Sequence, residues 1–221
     1  MLVEVWSDVV CPWCYIGKRR LETALRGIAA PVELRWRSFQ LDPSAPVSSA
    51  VSLTDMLRQK YGLGEAEVRA MQDHVAATAA AEGLRFDFRR ARPTNTRAAH
   101  RLLHHAAAHG KQSALKERLF AAYFCEGEAI GEPAVLTRLA AELGLDAAPA
   151  LADAALDAAV QADIDAARRL GIRGVPFFVV DGRLGVSGAQ PAETLRGALL
   201  RAGAAPAPAP AAGCDDGSCE V

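Results

Sequence analysis

The segment Cys11-Pro12-Trp13-Cys14 follows closely on an alternating stretch, Leu2 to Ser7, and itself opens a helical pattern. That order constrains the fold more than any other feature of the chain. Val3 and Val5 alternate with Glu4 and Trp6, as a strand with two distinct faces requires. From Pro12 onward, Trp13, Ile16, Leu21 and Leu25 recur at helical spacing. Pro12 suits a first helical turn, where its missing N–H leaves no bond unmade. A sulfur at such a junction meets unpaired backbone N–H groups and the positive end of the helix dipole, both of which favour a thiolate. Cys11 is therefore expected at the exposed helix start as the nucleophile. Cys14 is expected one turn further in, more buried, as the resolving thiol. Pro12-Trp13 becomes the tuning dipeptide: each pKa unit of thiolate stabilisation is worth about 1.4 kcal/mol and moves a two-electron potential by roughly 30 mV. A strongly depressed Cys11 would make the protein an oxidant.

The rest of the chain frames that junction. Val32 to Gln40 alternates again and reads as a second strand, ended by Pro43 and Pro46. Ser52 to Leu170 is almost wholly helical in pattern, broken by Gly62, Gly83, Pro93, Gly110, Gly131, Gly144 and Pro149. Val175 to Val180 returns to strand character, Asp181-Gly182 is a hairpin turn, and Leu184 to Val186 supplies a partner strand. Gln190 to Arg201 makes a last helix with Pro191 in its first turn. Two sheet-forming pieces thus surround a helical block. The boundaries expected are 1–41 and 149–202 for the two halves of a sheet domain, 42–148 for the helical insertion, and 203–221 for an Ala/Pro linker with a cysteine-containing tail.

Composition narrows the function. Of 221 residues 51% are hydrophobic, enough for a substantial core, and 25 basic against 26 acidic residues leave no one-signed field for nucleic acid. No apolar stretch reaches the roughly 18 residues of a membrane-spanning helix, and the first residues read as a strand, so the expected address is cytoplasmic. There, five cysteines point to redox or metal chemistry and not to structural staples. Besides the first pair, Cys214 and Cys219 form a second pair near the end, and Cys125 reads as a small core residue.

The second chemical element is Gly174-Val175-Pro176, entering the third strand. Proline is tolerated at the first residue of a strand, and X-Pro is the bond that adopts cis at small cost. A cis Pro176 facing Cys11 would turn the Val175 backbone toward the disulfide. An extended substrate segment could then pair with it, and a metal would be denied room beside the thiolates.

The segments S-D-V-V-C-P-W-C-Y-I-G at 7–17 and G-V-P-F-F-V-V-D-G at 174–182 resemble the DsbA family, and within it the FrnE-like branch. N-T-R-A-A-H-R-L at 95–102, L-F-A-A-Y-F at 119–124 and S-G-A-Q at 187–190 extend the likeness over most of the chain. The resemblance implies an α/β thioredoxin-like fold with an inserted all-helical domain, a nucleophilic Cys11, a resolving Cys14 and a cis Pro176. It further implies disulfide oxidase, isomerase or reductase activity by way of a mixed disulfide, with Pro12, Trp13, Val175 and Pro176 contacting substrate. Cys214 and Cys219 resemble the extra cysteine pair of FrnE-like proteins and are candidates for auxiliary redox. DsbA itself carries Pro-His between its cysteines. Trp13 removes that imidazole, so strong-oxidant character does not carry over.

The expected partners are protein or small-molecule thiols and disulfides, without nucleic acid or membrane, and assembly as a homodimer is left open. No metal or organic cofactor is required, and glutathione is a candidate co-substrate. Two other readings compete. One is a glutathione-dependent transferase or isomerase similar to the kappa-class and 2-hydroxychromene-2-carboxylate isomerase families, which place a serine where Cys11 stands. The other is a thiol-rich metal-binding module in which Cys11, Cys14, Cys214 and Cys219 hold zinc. His100, His104, His105 and His109 offer two i, i+4 pairs but no accompanying H-E-x-x-H carboxylate, and so read as helix-face and capping residues. Arg89, Arg90 and Arg92 read as a solvated charge run. Asp8, close before the nucleophile, is either a turn residue or a modulator of its ionisation. Asn95 and His100 carry the family likeness without a role that their sequence context reveals.

Overall fold

The computed structural model describes residues 1–206; Cys214, Cys219 and most of the expected linker lie outside the described residues. Strand β1 (Leu2–Ser7) runs into helix α1 (Pro12–Arg26) and strand β2 (Glu33–Ser38), which pairs parallel with β1. Strands β3 (Phe177–Val180) and β4 (Leu184–Ser187) form the hairpin expected around Asp181-Gly182, and Asp181 takes the positive φ of 47° that such a turn demands. β3 lies antiparallel to β1, so the sheet order is β2-β1-β3-β4. The final helix, α9 (Ala192–Arg201), starts just after Pro191 and packs with α1 on one face of the sheet. Val3, Val5, Leu21, Trp36, Phe178 and Leu195 fill the space between. Trp6, on the other face of β1, is also buried, against Ala167 and Ile172. Strand β1 is therefore covered on both sides, which is why a tryptophan stands where a half-buried strand would carry a polar residue.

Between β2 and β3 lie α2 (Leu53–Tyr61), α3 (Glu65–Ala81), α4 (Arg97–Ala108), α5 (Gln112–Ala121), a π-helical turn (Ala122–Glu126), α6 (Pro133–Ala141), α7 (Ala148–Ala152) and α8 (Ala154–Arg169). The expectation of near-continuous helix fails from Gly83 to Thr96. Gly83 ends α3 at positive φ, Pro93 forbids helical continuation, and Phe86 and Phe88 turn inward to pack on Phe124. The helical layer has its own core, built on residues such as Leu102, Leu115, Leu119, Phe120, Tyr123 and Leu136. That core also takes in Cys11, Cys14, Tyr15 and Ile16 of the first junction.

Polar side chains fasten this layer to the sheet. Gln112 on α5 pairs like an extra strand with the edge of β2: the Trp36 N–H donates to its Oε1 at 3.0 Å and its Nε2 donates to the Trp36 carbonyl at 3.0 Å. The backbone groups of Trp36 on that edge are thereby satisfied. Asp163 on α8 accepts from the Ser38 N–H at 2.9 Å and from Arg37 Nη1 at 2.9 Å, and it pairs with His104 at 3.1 Å. Glu117 on α5 accepts from Lys18 Nζ at 2.6 Å and from Arg19, both on α1. These bonds set α5 directly against the helix that carries the cysteine pair.

Candidate active site

Cys11 caps the amino end of α1 with extended backbone angles, and its carbonyl accepts from the Cys14 N–H at 3.0 Å. The Cys11 N–H in turn donates to the Asp8 carbonyl at 3.2 Å, so a short turn delivers the sulfur from β1 to the helix start. The Val175–Pro176 peptide bond is cis, and the Cys11 thiol donates to the Val175 carbonyl at 3.4 Å. Gly17 makes that approach possible. A Cβ there would lie 2.9 Å from Pro176 Cγ and 3.4 Å from the Phe178 ring, so only a residue without one lets α1 and the proline loop meet. The S-G-A-Q segment holds the loop from behind. Gly188 donates its N–H to the Pro176 carbonyl at 2.8 Å, and Arg20 of α1 donates to the Ala189 carbonyl at 2.6 Å.

Cys11 opens onto a groove of about 350 Å³. Pro12, Trp13 and Val175 line it near the sulfur, and Met56, Met71 and Tyr61 from α2 and α3 form its outer wall. The charged side chains along it are Asp42 and Lys60. Cys14 does not line this groove. The expectation that Cys11 would be exposed is corrected: it is 4% exposed and Cys14 1%, because the proline loop and the helical layer close over the helix start. One sulfur meets the groove and the other faces the interior.

Under the pair lies a sealed polar floor. Asp8 accepts from the Leu41 N–H at 2.8 Å and meets His100 Nε2 at 3.2 Å, with both side chains buried. Burial holds His100 below the ordinary histidine range despite the favourable carboxylate. Ser7 Oγ is buried without an oxygen or nitrogen partner. Lys116 of α5 is wholly buried. Its Nζ donates to the Ser7 carbonyl at 3.4 Å and lies 5.7 Å and 5.2 Å from the Trp36 and Phe120 ring centres.

The pair and this floor act on the ionisation of Cys11 beside the helix start. The hydrogen bond to Cys14, then burial, push the Cys11 thiol up, and the charge of Asp8 adds to the effect. Cys14 moves the other way. Burial opposes its ionisation but is outweighed by the neighbouring Cys11 and Ser7 side chains and by the Lys116 charge. Within the pair, negative charge is drawn to the inner member.

Other candidate residues find their places. Asn95 staples the loop beside the groove: its Nδ2 donates to the Pro43 and Ala45 carbonyls, each at 3.0 Å, while its Oδ1 accepts from the Arg97 N–H at the start of α4. The four histidines do not converge. His100 is on Asp8, His104 on Asp163 and Ser38, and His105 packs at a tilt against His109. Among the described residues no three His, Cys, Asp or Glu side chains are placed to hold a metal ion. Cys125 is half-buried at the edge of the helical core, not inside it. Arg89 lies in solvent and pairs with Asp87 at 3.0 Å.

A family model described as the DSBA-like thioredoxin domain matches residues 2–200. The chain belongs to that family. A probable DsbA oxidoreductase from Streptomyces coelicolor is 42% identical, with a TM-score of 0.86, covering 91% of this chain and 89% of its own. The cytosolic disulfide reductase DsbM from Pseudomonas aeruginosa, solved with GSH, shares the fold at 23% identity and a TM-score of 0.63, over 91% of this chain and 98% of its own. An uncharacterized Bacillus subtilis protein, YwbO, is 32% identical over 66% of this chain and 68% of its own length. The chain is thus a member of the DsbA-like thiol-disulfide oxidoreductase superfamily, with a thioredoxin-like sheet and an inserted helical layer. No helix of the described residues is long and apolar enough to cross a membrane.

Proposed function

We propose that this protein exchanges disulfides with polypeptide or small-molecule thiols through Cys11, and that Cys14 resolves the resulting mixed disulfide. The observation that carries this reading is the position of the Cys11 sulfur. It lies at the mouth of an apolar groove, 3.4 Å from the Val175 carbonyl, while Cys14 is turned inward. As a bound substrate disulfide approaches, Cys11 gives up its proton, with the inner Cys14 as the neighbouring acceptor, and attacks as thiolate. The Val175 backbone offers an extended chain a partner, and Trp13, Met56 and Met71 offer apolar flanks. That wall suits a disulfide carried in an apolar polypeptide segment better than glutathione with its two carboxylates, which remains a candidate reductant. No bound metal or cofactor is needed for this chemistry. A cytoplasmic address accords with transient use of the pair.

Two cysteines in the motif argue against the glutathione transferase and isomerase reading, in which a serine takes the place of Cys11. Cys214 and Cys219, beyond the described residues, are proposed as an auxiliary pair that exchanges with Cys11 and Cys14. One assay series tests these readings. Cys11→Ser is expected to abolish insulin reduction and reactivation of scrambled ribonuclease, and Cys14→Ser to accumulate mixed disulfides. A chain truncated after Pro206, which keeps the buried Ala204 and the Ile28–Pro206 bridge, is expected to fold normally but cycle more slowly. Full activity in Cys11→Ser overturns the assignment. An unaltered rate in the truncated chain overturns only the tail proposal.

A further inference from the structure

Two tyrosines belong to the core that takes in the cysteine pair, and their hydroxyl groups have different fates. Tyr15 donates to Glu117 Oε1 at 2.5 Å. Tyr123 is only 2% exposed, yet its hydroxyl has no hydrogen-bond partner among the described residues. A buried tyrosine ordinarily finds such a partner, and an unmet polar group costs free energy. Tyr123 also lines the groove onto which Cys11 opens, so a substrate that fills the groove must supply an acceptor or leave the hydroxyl unmet. We infer that the Tyr123 hydroxyl is a specificity-determining donor that receives a main-chain carbonyl of the polypeptide engaged by Cys11. The inference rests on the proposed role of Cys11 and narrows its substrates to disulfides with an amide carbonyl beside the cysteine.

Local structure aims the residue. In a regular α-helix neighbouring side chains point about 100° apart. The π-helical turn from Ala122 to Glu126 brings both Tyr123 and Phe124 to the groove, and such turns recur at functional sites. Phe124 packs against the tyrosine ring edge-on, with 4.9 Å between centres. Burial and the charge of nearby Asp8 push the hydroxyl above the ordinary tyrosine range, so it stays a donor. The same carboxylate disfavours an anionic acceptor at this point and leaves a neutral amide carbonyl as the group that fits. The Val175 carbonyl supplies the complement. It accepts from the Cys11 thiol at 3.4 Å. Once Cys11 is bonded to a substrate sulfur that proton is gone, and the carbonyl is free to accept a substrate N–H. A donor and an acceptor on one groove match the N–H and C=O groups that every peptide unit carries.

The test is Tyr123→Phe, which keeps the ring and removes only the hydroxyl. Three disulfides are compared: one within an apolar peptide, oxidised glutathione, and bis(2-hydroxyethyl) disulfide, which has no carbonyl. The preference for the peptide over the hydroxyethyl disulfide, as a ratio of kcat/KM, should fall about fivefold, the scale of one neutral hydrogen bond. The loss should lie in KM more than in kcat. The melting temperature should not fall, because the hydroxyl has no internal partner to lose. A second measurement leaves the protein unaltered and replaces each carbonyl beside the peptide cysteine in turn by a thiocarbonyl, a poorer acceptor. One position should bind more weakly, and in Tyr123→Phe that position should cease to matter. An unchanged preference in the variant, or no sensitive position in the thiocarbonyl series, overturns the proposal. A loss confined to oxidised glutathione assigns the hydroxyl to that tripeptide and overturns the polypeptide assignment. If the variant does not fold, the thiocarbonyl series decides alone. Failure of the unaltered protein to form any mixed disulfide on Cys11 overturns the Cys11 reading instead, so the two failures are distinct.

Discussion

The two sides of the cysteine pair differ as sharply as any two regions of the molecule. Above Cys11 the groove is open and mostly apolar, walled by side chains from α2 and α3, of which Met71 and Tyr61 are about half exposed. Below Cys14 the floor is closed and polar, and Ser7, Asp8, His100 and Lys116 are all within 1% of full burial. Each side is made by contacts between the helical layer and the sheet, yet they do different work. The groove supplies area that any apolar segment can use, which makes recognition tolerant. The floor supplies a few charges at low effective dielectric, where each group has a large effect on the sulfurs it faces. Recognition and ionisation are thereby carried by separate residues, and substitutions should separate them.

The largest effect is expected at the floor. Asp8→Ala removes the acceptor for the part-buried Leu41 N–H and the partner of the buried His100, leaving both unpaired. A loss of about 1–3 kcal/mol is expected, chiefly from the orphaned His100, measured by chemical denaturation of the oxidised protein, with Asp8→Asn losing less. A loss below about 0.5 kcal/mol, the level of an ordinary surface substitution, would mean that the floor is not a rigid network.

Lys116 carries a pH-dependent cost. Its folded value of about 8 lies below the unfolded value near 10.4, so between these limits the unfolded chain binds more protons and stability rises with pH. Below pH 8 the penalty is fully present. Lys116→Met should therefore stabilise the oxidised protein at pH 7, by roughly 2 kcal/mol, and the advantage should vanish by about pH 10. His100, held low by burial, adds a loss of stability as pH falls below its ordinary range near 6.5. Thermal melts across pH check both signs. A Lys116→Met advantage that grows with pH would contradict the assignment.

The smallest effect is expected at the groove. Met71→Ala removes a half-exposed apolar side chain worth about 1 kcal/mol of contact, which is about fivefold in kcat/KM for an apolar polypeptide disulfide. Exchange with a small, charged disulfide should be unchanged. Equal losses on both substrates would show that the groove and the floor are not separable.

What could be read from the chain alone was what neighbouring residues decide. Alternation marked β1 and β2, strand-favouring residues marked β3, helical spacing marked α1, Asp181-Gly182 marked the hairpin, and the C-x-x-C and X-Pro segments marked the candidate site, because each rests on local backbone geometry or bond chemistry. The errors came where distant contacts override local pattern. Gly83 to Thr96 leaves the helical path because Phe86 and Phe88 find partners in the π-helical turn. The charges acting on the cysteine pair were only half legible, because the helix end is a local effect whereas Lys116 arrives from about a hundred residues away. One signal was available: Lys116 falls four residues after Gln112 and four before Phe120, on the buried stripe of α5, where a lysine is rarely placed without cause. Its position on that stripe could be counted from the sequence. Only the tertiary structure puts Ser7, Asp8 and the cysteine pair beside it, since burial and charge proximity belong to the packed chain and not to any segment of it.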